Sequence, residues 1–287
     1  MSKLSTTESI ITSDGELKVY LEAGEVTWFD FLWFSRGTVS TDGGWNSKSH
    51  WRELGVQQLI GTAAESLELW TKNSLEMTSL PRPRSGSFML DREHSQSRCK
   101  LEQSFAEKRI EDAKENELSY ALWKGGLGKL KPLADTRLLG YEMPLAEDSG
   151  GQLKVDLFGI SSGGDAIEII ELKREKNHTD SPLIAFTEAI CYALQTLRCK
   201  ESLLGELNKD PELKVCEKAF LRINLTILAP IKYWRYWGHP PDAELDGGEI
   251  NEKLQIILER VNEGIASKPA EGPHSKLTLA LKELEFI

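Results

Sequence analysis

Three short apolar runs, at 136–145, 153–160 and 166–174, are joined by the turns AEDSGGQ and SSGGD. A parallel connection needs about a dozen residues or more, so neither turn can hold a crossover helix, and the three strands are confined to an antiparallel meander. The next segment changes period. Ser181 and Pro182 supply an N-cap followed by proline at the first helical position. Leu183, Phe186, Ile190, Leu194 and Leu197 then recur at helical spacing. The run KAFLRINLTILAP returns as a strand, which the intervening helix allows to pair in parallel. Upstream, a long helix is predicted from Cys99 to Trp123, with Leu101, Phe105, Ile110, Leu118 and Leu122 on one broad apolar face and Gly125-Gly126 closing it. A helix over 249–263 and a strand over 277–287 complete the pattern. The predicted class is α/β with a mixed sheet, in the order helix, three strands, helix, strand.

The residues before 99 read differently. Five of the eight tryptophans, at 28, 33, 45, 51 and 70, fall in the first 75 residues among Gly-rich turns, which suggests a small α+β domain over 1–75. Pro81, Pro83 and Gly86 break periodicity between 76 and 98, so that stretch is read as a linker, with the unit of interest at 99–287. A net charge of −10 argues against a surface made only to coat nucleic acid, though it permits a local basic groove or an acidic metal site. The four cysteines contain no C-x-x-C pair and none stands with histidines at zinc spacing, so reduced, buried thiols are expected. No apolar run approaches the roughly 18 residues of a membrane span, and the start lacks an apolar leader core. A cytoplasmic protein with no membrane partner is the resulting expectation.

Chemistry concentrates on the third strand, IEIIELKREKNH. Side chains alternate along a strand, so Glu171 and Lys173 share one face while Ile170 and Leu172 take the other. Asp156, separated from Glu171 by fourteen residues, is the ionisable residue of the preceding strand between Lys154 and the turn. If SSGGD closes the hairpin, the two carboxylates approach each other, and their repulsion calls for a cation. A hard dication such as magnesium or manganese meets that need with oxygen ligands. The lysine beside the second acid can orient a water or stabilise negative charge developing on a phosphate.

Asp156, followed by Glu171-Leu172-Lys173 at the end of the next strand, then a helix and a further strand, resembles the PD-(D/E)xK nuclease superfamily over about residues 99–230. Val155 stands where the family name has proline. The resemblance implies a restriction-endonuclease-like αβββαβ core with a small N-terminal α+β domain added. It implies Mg2+ or Mn2+ as cofactor, held by Asp156, Glu171 and the backbone carbonyl of Leu172, with Lys173 as the catalytic lysine. The family often adds an acid from the first core helix, where Glu107, Glu111 and Glu117 are candidates and Glu117 is preferred. Glu142 on the first strand is a further candidate. The implied activity is phosphodiester hydrolysis, in DNA before RNA, and a homodimer is admitted. The competing readings are a nuclease-fold module that binds nucleic acid or protein without catalysis, and a structural protein whose acids never meet.

Other motifs fail on context. Gly159-Ile-Ser-Ser-Gly163 has the serine-hydrolase spacing, but a strand follows it where that motif needs a helix. GGLGK at 125–129 lacks the spacing and the Ser or Thr of a phosphate loop and is read as a helix end. In IKYWRYWGHPP, at 231–241, the aromatics either stack exposed bases or cover the sheet edge. Arg174 and Lys176 are candidate phosphate neighbours, and His178 is read as a loop histidine. Glu188 and Tyr192, one turn apart on the following helix, stand behind the site.

Overall fold

The computed structural model describes residues 63–64, 66–68, 71, 83–86, 88, 96–147, 154–177, 179–210, 213, 215–240, 244–245, 248–267 and 275–287. Most of the domain expected over 1–75 and of the linker over 76–98 lies outside them, as does His178. Ala63, Ala64, Leu67 and Phe88 belong to the same buried cluster as the sheet. Pro83 and Arg84 pair with the chain just beyond the first strand, through a bridge to Ala146 and the Arg84 N–H on the Leu145 carbonyl.

Five strands make one mixed sheet, β1 (Thr136–Pro144), β2 (Lys154–Ser161), β3 (Ile167–Leu172), β4 (Arg222–Ala229) and β5 (Lys276–Glu283), neighbouring in chain order. β2 runs antiparallel to both β1 and β3, as turns without room for a crossover require. β4 joins β3 in parallel and β5 joins β4 in parallel. Every residue of β3 is buried, as befits a central strand covered on both faces.

One face packs on α1 (Gln96–Glu107) and α2 (Glu115–Trp123), where Phe105, Leu118 and Leu122 meet Leu157, Ile170, Leu172 and Leu228. The other packs on α3 (Pro182–Arg198) and α6 (Glu249–Ala266), with α4 (Lys200–Leu207) and α5 (Ile231–Tyr236) at its margins. The α3 N-terminus is built as its sequence prescribes: the Ser181 hydroxyl accepts the Ile184 N–H and Pro182 follows it. No described helix is long and apolar enough to cross a membrane.

The single helix expected over 99–123 is two, separated by a short 3-10 turn at Ile110–Asp112. Phe105 and Leu118 are thirteen positions apart, and at about 100° per residue an unbroken helix would hold them about 140° apart. The break lets both reach one face of the sheet. Lys129 completes it: its ammonium donates to the carbonyls of Phe105, Ala106 and Lys108, capping α1 at its C-terminus. GGLGK is thus a helix end, and Gly126, at φ +90, has no room for a Cβ beside the Leu130 carbonyl.

The 159–163 motif is a hairpin turn, with the Ser161 hydroxyl donating to Asp165 and accepting the N–H groups of Asp165 and Ala166. The aromatics of 231–237 settle on covering the sheet: Tyr233, Trp234 and Trp237 are buried, and the Trp234 indole N–H donates to the Ala229 carbonyl. Trp234→Ala is therefore expected to cost about 3–5 kcal/mol in urea unfolding, and a cost under about 1 kcal/mol would contradict that placement. Of the cysteines, Cys191 and Cys199 are free and buried, whereas Cys216 is free but exposed.

Candidate active site

Register decides whether the acids meet. β2 and β3 pair Phe158 with Ile169 and Leu157 with Ile170. Asp156 and Glu171 are the next residues on their strands beyond the last of these pairs, and the Asp156 charge acts on Glu171. The Asp156 carboxylate also accepts the Leu172 N–H at 2.8 Å, which ties it to the end of β3. From that strand end Lys173 turns inward. Its ammonium donates to Glu171 Oε1 at 2.6 Å and to Glu188 Oε2 on α3 at 2.8 Å, with Asp180 Oδ2 at 3.8 Å.

The Lys173 end of the site lies out of water, while Asp156 and Asp180 are half-buried. Glu171 and Lys173 are each 3 % exposed and Glu188 is 4 % exposed. Glu171 Oε2 is buried with no hydrogen-bond partner. A buried acceptor left unpaired costs about 1–3 kcal/mol, more when charged, so such an atom calls for an explanation.

Burial lifts the Asp156 carboxyl to about 8, with Lys173 and the Leu172 N–H opposing and Glu115 and Glu142 adding to the rise. Burial also holds Glu171 well above the usual carboxylate range, reinforced by Asp156 and resisted by Lys173. For Lys173, burial pulls the ammonium down but is outweighed by Glu171, Glu188, Glu115 and Asp180, so it stays charged far above neutrality. The Tyr192 phenol is pushed up by burial and then by Glu171 and Glu188. The site gathers more negative groups than its one lysine can balance, and it responds by retaining protons.

The first-helix acid chosen from sequence has another task. Glu117 accepts from Ser104 and Lys108 at Oε1 and from the Lys114 N–H at Oε2, so its oxygens are engaged at the α2 N-terminus. Glu111 pairs with Arg109, and Glu107 accepts from Gln103. The α2 carboxylate whose charge acts on Asp156 and Lys173 is Glu115. It accepts the Arg174 N–H and the Asn177 amide at 3.0 Å. Asn177 then accepts from the Thr179 N–H and hydroxyl and the Asp180 N–H, shaping the loop that brings Asp180 toward Lys173. Asn177 and Asp180 were legible as turn formers in KNHTDSP, but not as site builders.

Glu142 lies between the pairs Tyr141 with Leu157 and Met143 with Val155, hence beside Asp156 on the neighbouring strand. Its φ of +46 is a left-handed conformation in the middle of a strand, a strain of the kind that persists where the surroundings over-determine it. Lys154 stands 3.8 Å from its carboxylate. At the rim, Arg174 is exposed, Lys176 pairs with Asp112, and Lys232 pairs with Glu175.

Among the described residues, no three His, Cys, Asp or Glu side chains converge closely enough to chelate one ion by themselves. The donor set on offer is the facing pair Asp156 and Glu171. Magnesium commonly takes one or two carboxylates and completes its shell with water and substrate phosphate, so hard oxygens and an unpartnered Glu171 Oε2 fit it. Compared with protein-family models, curated proteins and solved structures, the chain matches none of them.

Proposed function

We propose that this protein is a divalent-metal-dependent nuclease that hydrolyses phosphodiester bonds in DNA, on a restriction-endonuclease-like αβββαβ core formed by α2, β1–β3, α3 and β4. The observation that carries the reading is Glu171 Oε2, buried and unpartnered, across the strand pair from Asp156 with Lys173 alongside. Asp156 and Glu171 would hold Mg2+ or Mn2+, with the Leu172 carbonyl as a further donor. When bound, the ion would supply an acidified water and charge neutralisation at the scissile phosphate.

The chain's own residues do the rest. Lys173 holds a permanent positive charge in a dry setting, where a hydrogen bond to an attacking water or a phosphoryl oxygen counts for more than in bulk solvent. Glu115 and Asn177 fix the loop that follows Lys173. Arg174, which is exposed, would meet the phosphate chain beside the scissile bond. Hydrolysis joins the water oxygen to phosphorus and breaks one P–O ester bond, so no further reactant is needed.

The test is nicking of supercoiled plasmid by purified protein in Mg2+ or Mn2+. EDTA should abolish cleavage. Asp156→Asn, Glu171→Gln and Lys173→Ala should each lower the rate by about 100-fold or more. Cleavage that survives all three changes overturns the reading. A second reading, a nuclease-fold module that binds without cutting, draws on the double pairing of Lys173 and the absence of a three-residue chelate among the described residues. It predicts binding of nucleic acid or protein that neither EDTA nor Asp156→Asn disturbs.

A further inference from the structure

Lys173 poses a problem for any dication at this site. Its ammonium lies 2.6 Å from Glu171 Oε1, closer than to any other carboxylate it meets. An ammonium in that position competes for the electron density that a metal would draw on. The same ammonium is also 2.8 Å from Glu188 Oε2, which projects from a different element, α3, and is almost as buried as Glu171. The two glutamates, one on β3 and one on α3, grip one cation, while Glu171 keeps its second oxygen without a partner.

We infer that Glu188 is a positioning residue that takes over Lys173 when Glu171 turns to a metal ion. The inference rests on the metal-site reading above. An ammonium has three N–H donors, so it can shift weight from one carboxylate to the other without leaving the cluster. α3 is a rigid place from which to do this. Pro182 through Thr196 are all buried, and the helix start is locked by the Ser181 cap, so Glu188 cannot drift with the loops. Asp180, at 3.8 Å, stands on the loop side of the same ammonium and offers a weaker third anchor. Without Glu188, Glu171 becomes the one carboxylate within hydrogen-bonding reach of Lys173, and the lysine locks the ligand that the ion needs. Partners that orient a metal ligand in this way typically matter 10–100-fold in affinity, roughly.

The experiment is a Mn2+ titration of the full chain, reading free Mn2+ by electron paramagnetic resonance. It requires no substrate and no turnover. Glu188→Gln should bind Mn2+ about 10- to 100-fold more weakly than wild type. In the double variant Glu188→Gln/Lys173→Met, affinity should return to within a few-fold of wild type, because no ammonium remains to hold Glu171. A glutamate that merely supports folding would not give that recovery.

A second measurement needs only the single variant. At Mn2+ concentrations that saturate both proteins, acetylation of Lys173, followed by mass spectrometry, should stay slow in wild type and rise several-fold in Glu188→Gln, where the ammonium displaced by the ion has lost its receiver. Equal Mn2+ affinity in wild type and Glu188→Gln overturns the inference alone. So does a folded double variant that binds no better than Glu188→Gln, or unchanged acetylation. Wild type that binds no Mn2+ at this site removes the metal reading itself, and the inference with it.

Discussion

Lys173→Met is expected to lower the free energy of unfolding by about 3–5 kcal/mol at pH 8, measured in urea by linear extrapolation. The lysine is 3 % exposed and bridges Glu171 and Glu188, so removing it leaves two buried carboxylates without the ammonium that joined them. Desolvation of the survivors sets the cost, since the attraction that offset it is gone. The loss should shrink toward acid pH, where Glu171, whose carboxyl burial already raises, takes up a proton instead. Neutralising the three paired side chains, with Glu171→Gln and Glu188→Gln added, should recover most of the stability, because uncharged groups of similar volume carry no such penalty. An ion pair at a wet strand end behaves differently and gives about 0–1 kcal/mol. A loss that small would show that the three side chains do not form the buried cluster described here.

The second large effect is on pH dependence. The folded-state Asp156 carboxyl titrates at about 8, against an ordinary value of 3.8. Between those values the folded protein binds a proton that the unfolded chain has released. Stability therefore falls as pH rises from about 4 to about 8, by at most about 1.4 kcal/mol per pH unit from this group, and levels off above. Glu171, raised in the same direction, adds to the slope and shares its titration with Asp156. Lys173, Glu115 and Glu142 face the same carboxyl, and their charges are part of the shift. Asp156→Asn should flatten the curve over this window and be more stable than wild type at pH 8. Saturating Mn2+ should reverse the trend for wild type, since an ion binds only the deprotonated pair and its binding adds to folding stability. Urea midpoints taken at four pH values with and without Mn2+ check both signs. A wild-type stability that is flat or rising from pH 4 to 8 without metal contradicts the raised carboxyl.

Much of the sheet was legible because its signals are local. The short turns forced β1 to β3 antiparallel, and the Ser181-Pro182 start announced the helix that lets β4 run parallel to β3. Asp156, Glu171 and Lys173 were legible because a period of two, carried across a hairpin, sets them on one face. The rest depended on contacts distant in sequence. The break between α1 and α2 is completed by Lys129, whose ammonium reaches carbonyls more than a dozen residues upstream, so helical periodicity alone ran through it. Glu115 and Glu117 sit in the same helical turn and look interchangeable in the sequence. Ser104 and Lys108 claim Glu117, while Asn177 and the Arg174 N–H claim Glu115, and those partners come from other elements. The left-handed φ of Glu142 had no signal, because nothing in YEMPL marks a non-glycine residue for that region. Glu188 could be placed behind the site from helical spacing, but its grip on Lys173 is set by how α3 packs on β3.

The most direct test of the central claim is an anomalous difference map from crystals of the full chain soaked in Mn2+. The account predicts one manganese ion between the Asp156 and Glu171 carboxylates, contacting the Glu171 oxygen that otherwise has no partner, with Lys173 still held by Glu188. A map without manganese between those two carboxylates, at a concentration where Mn2+ supports cleavage or raises stability, would contradict it.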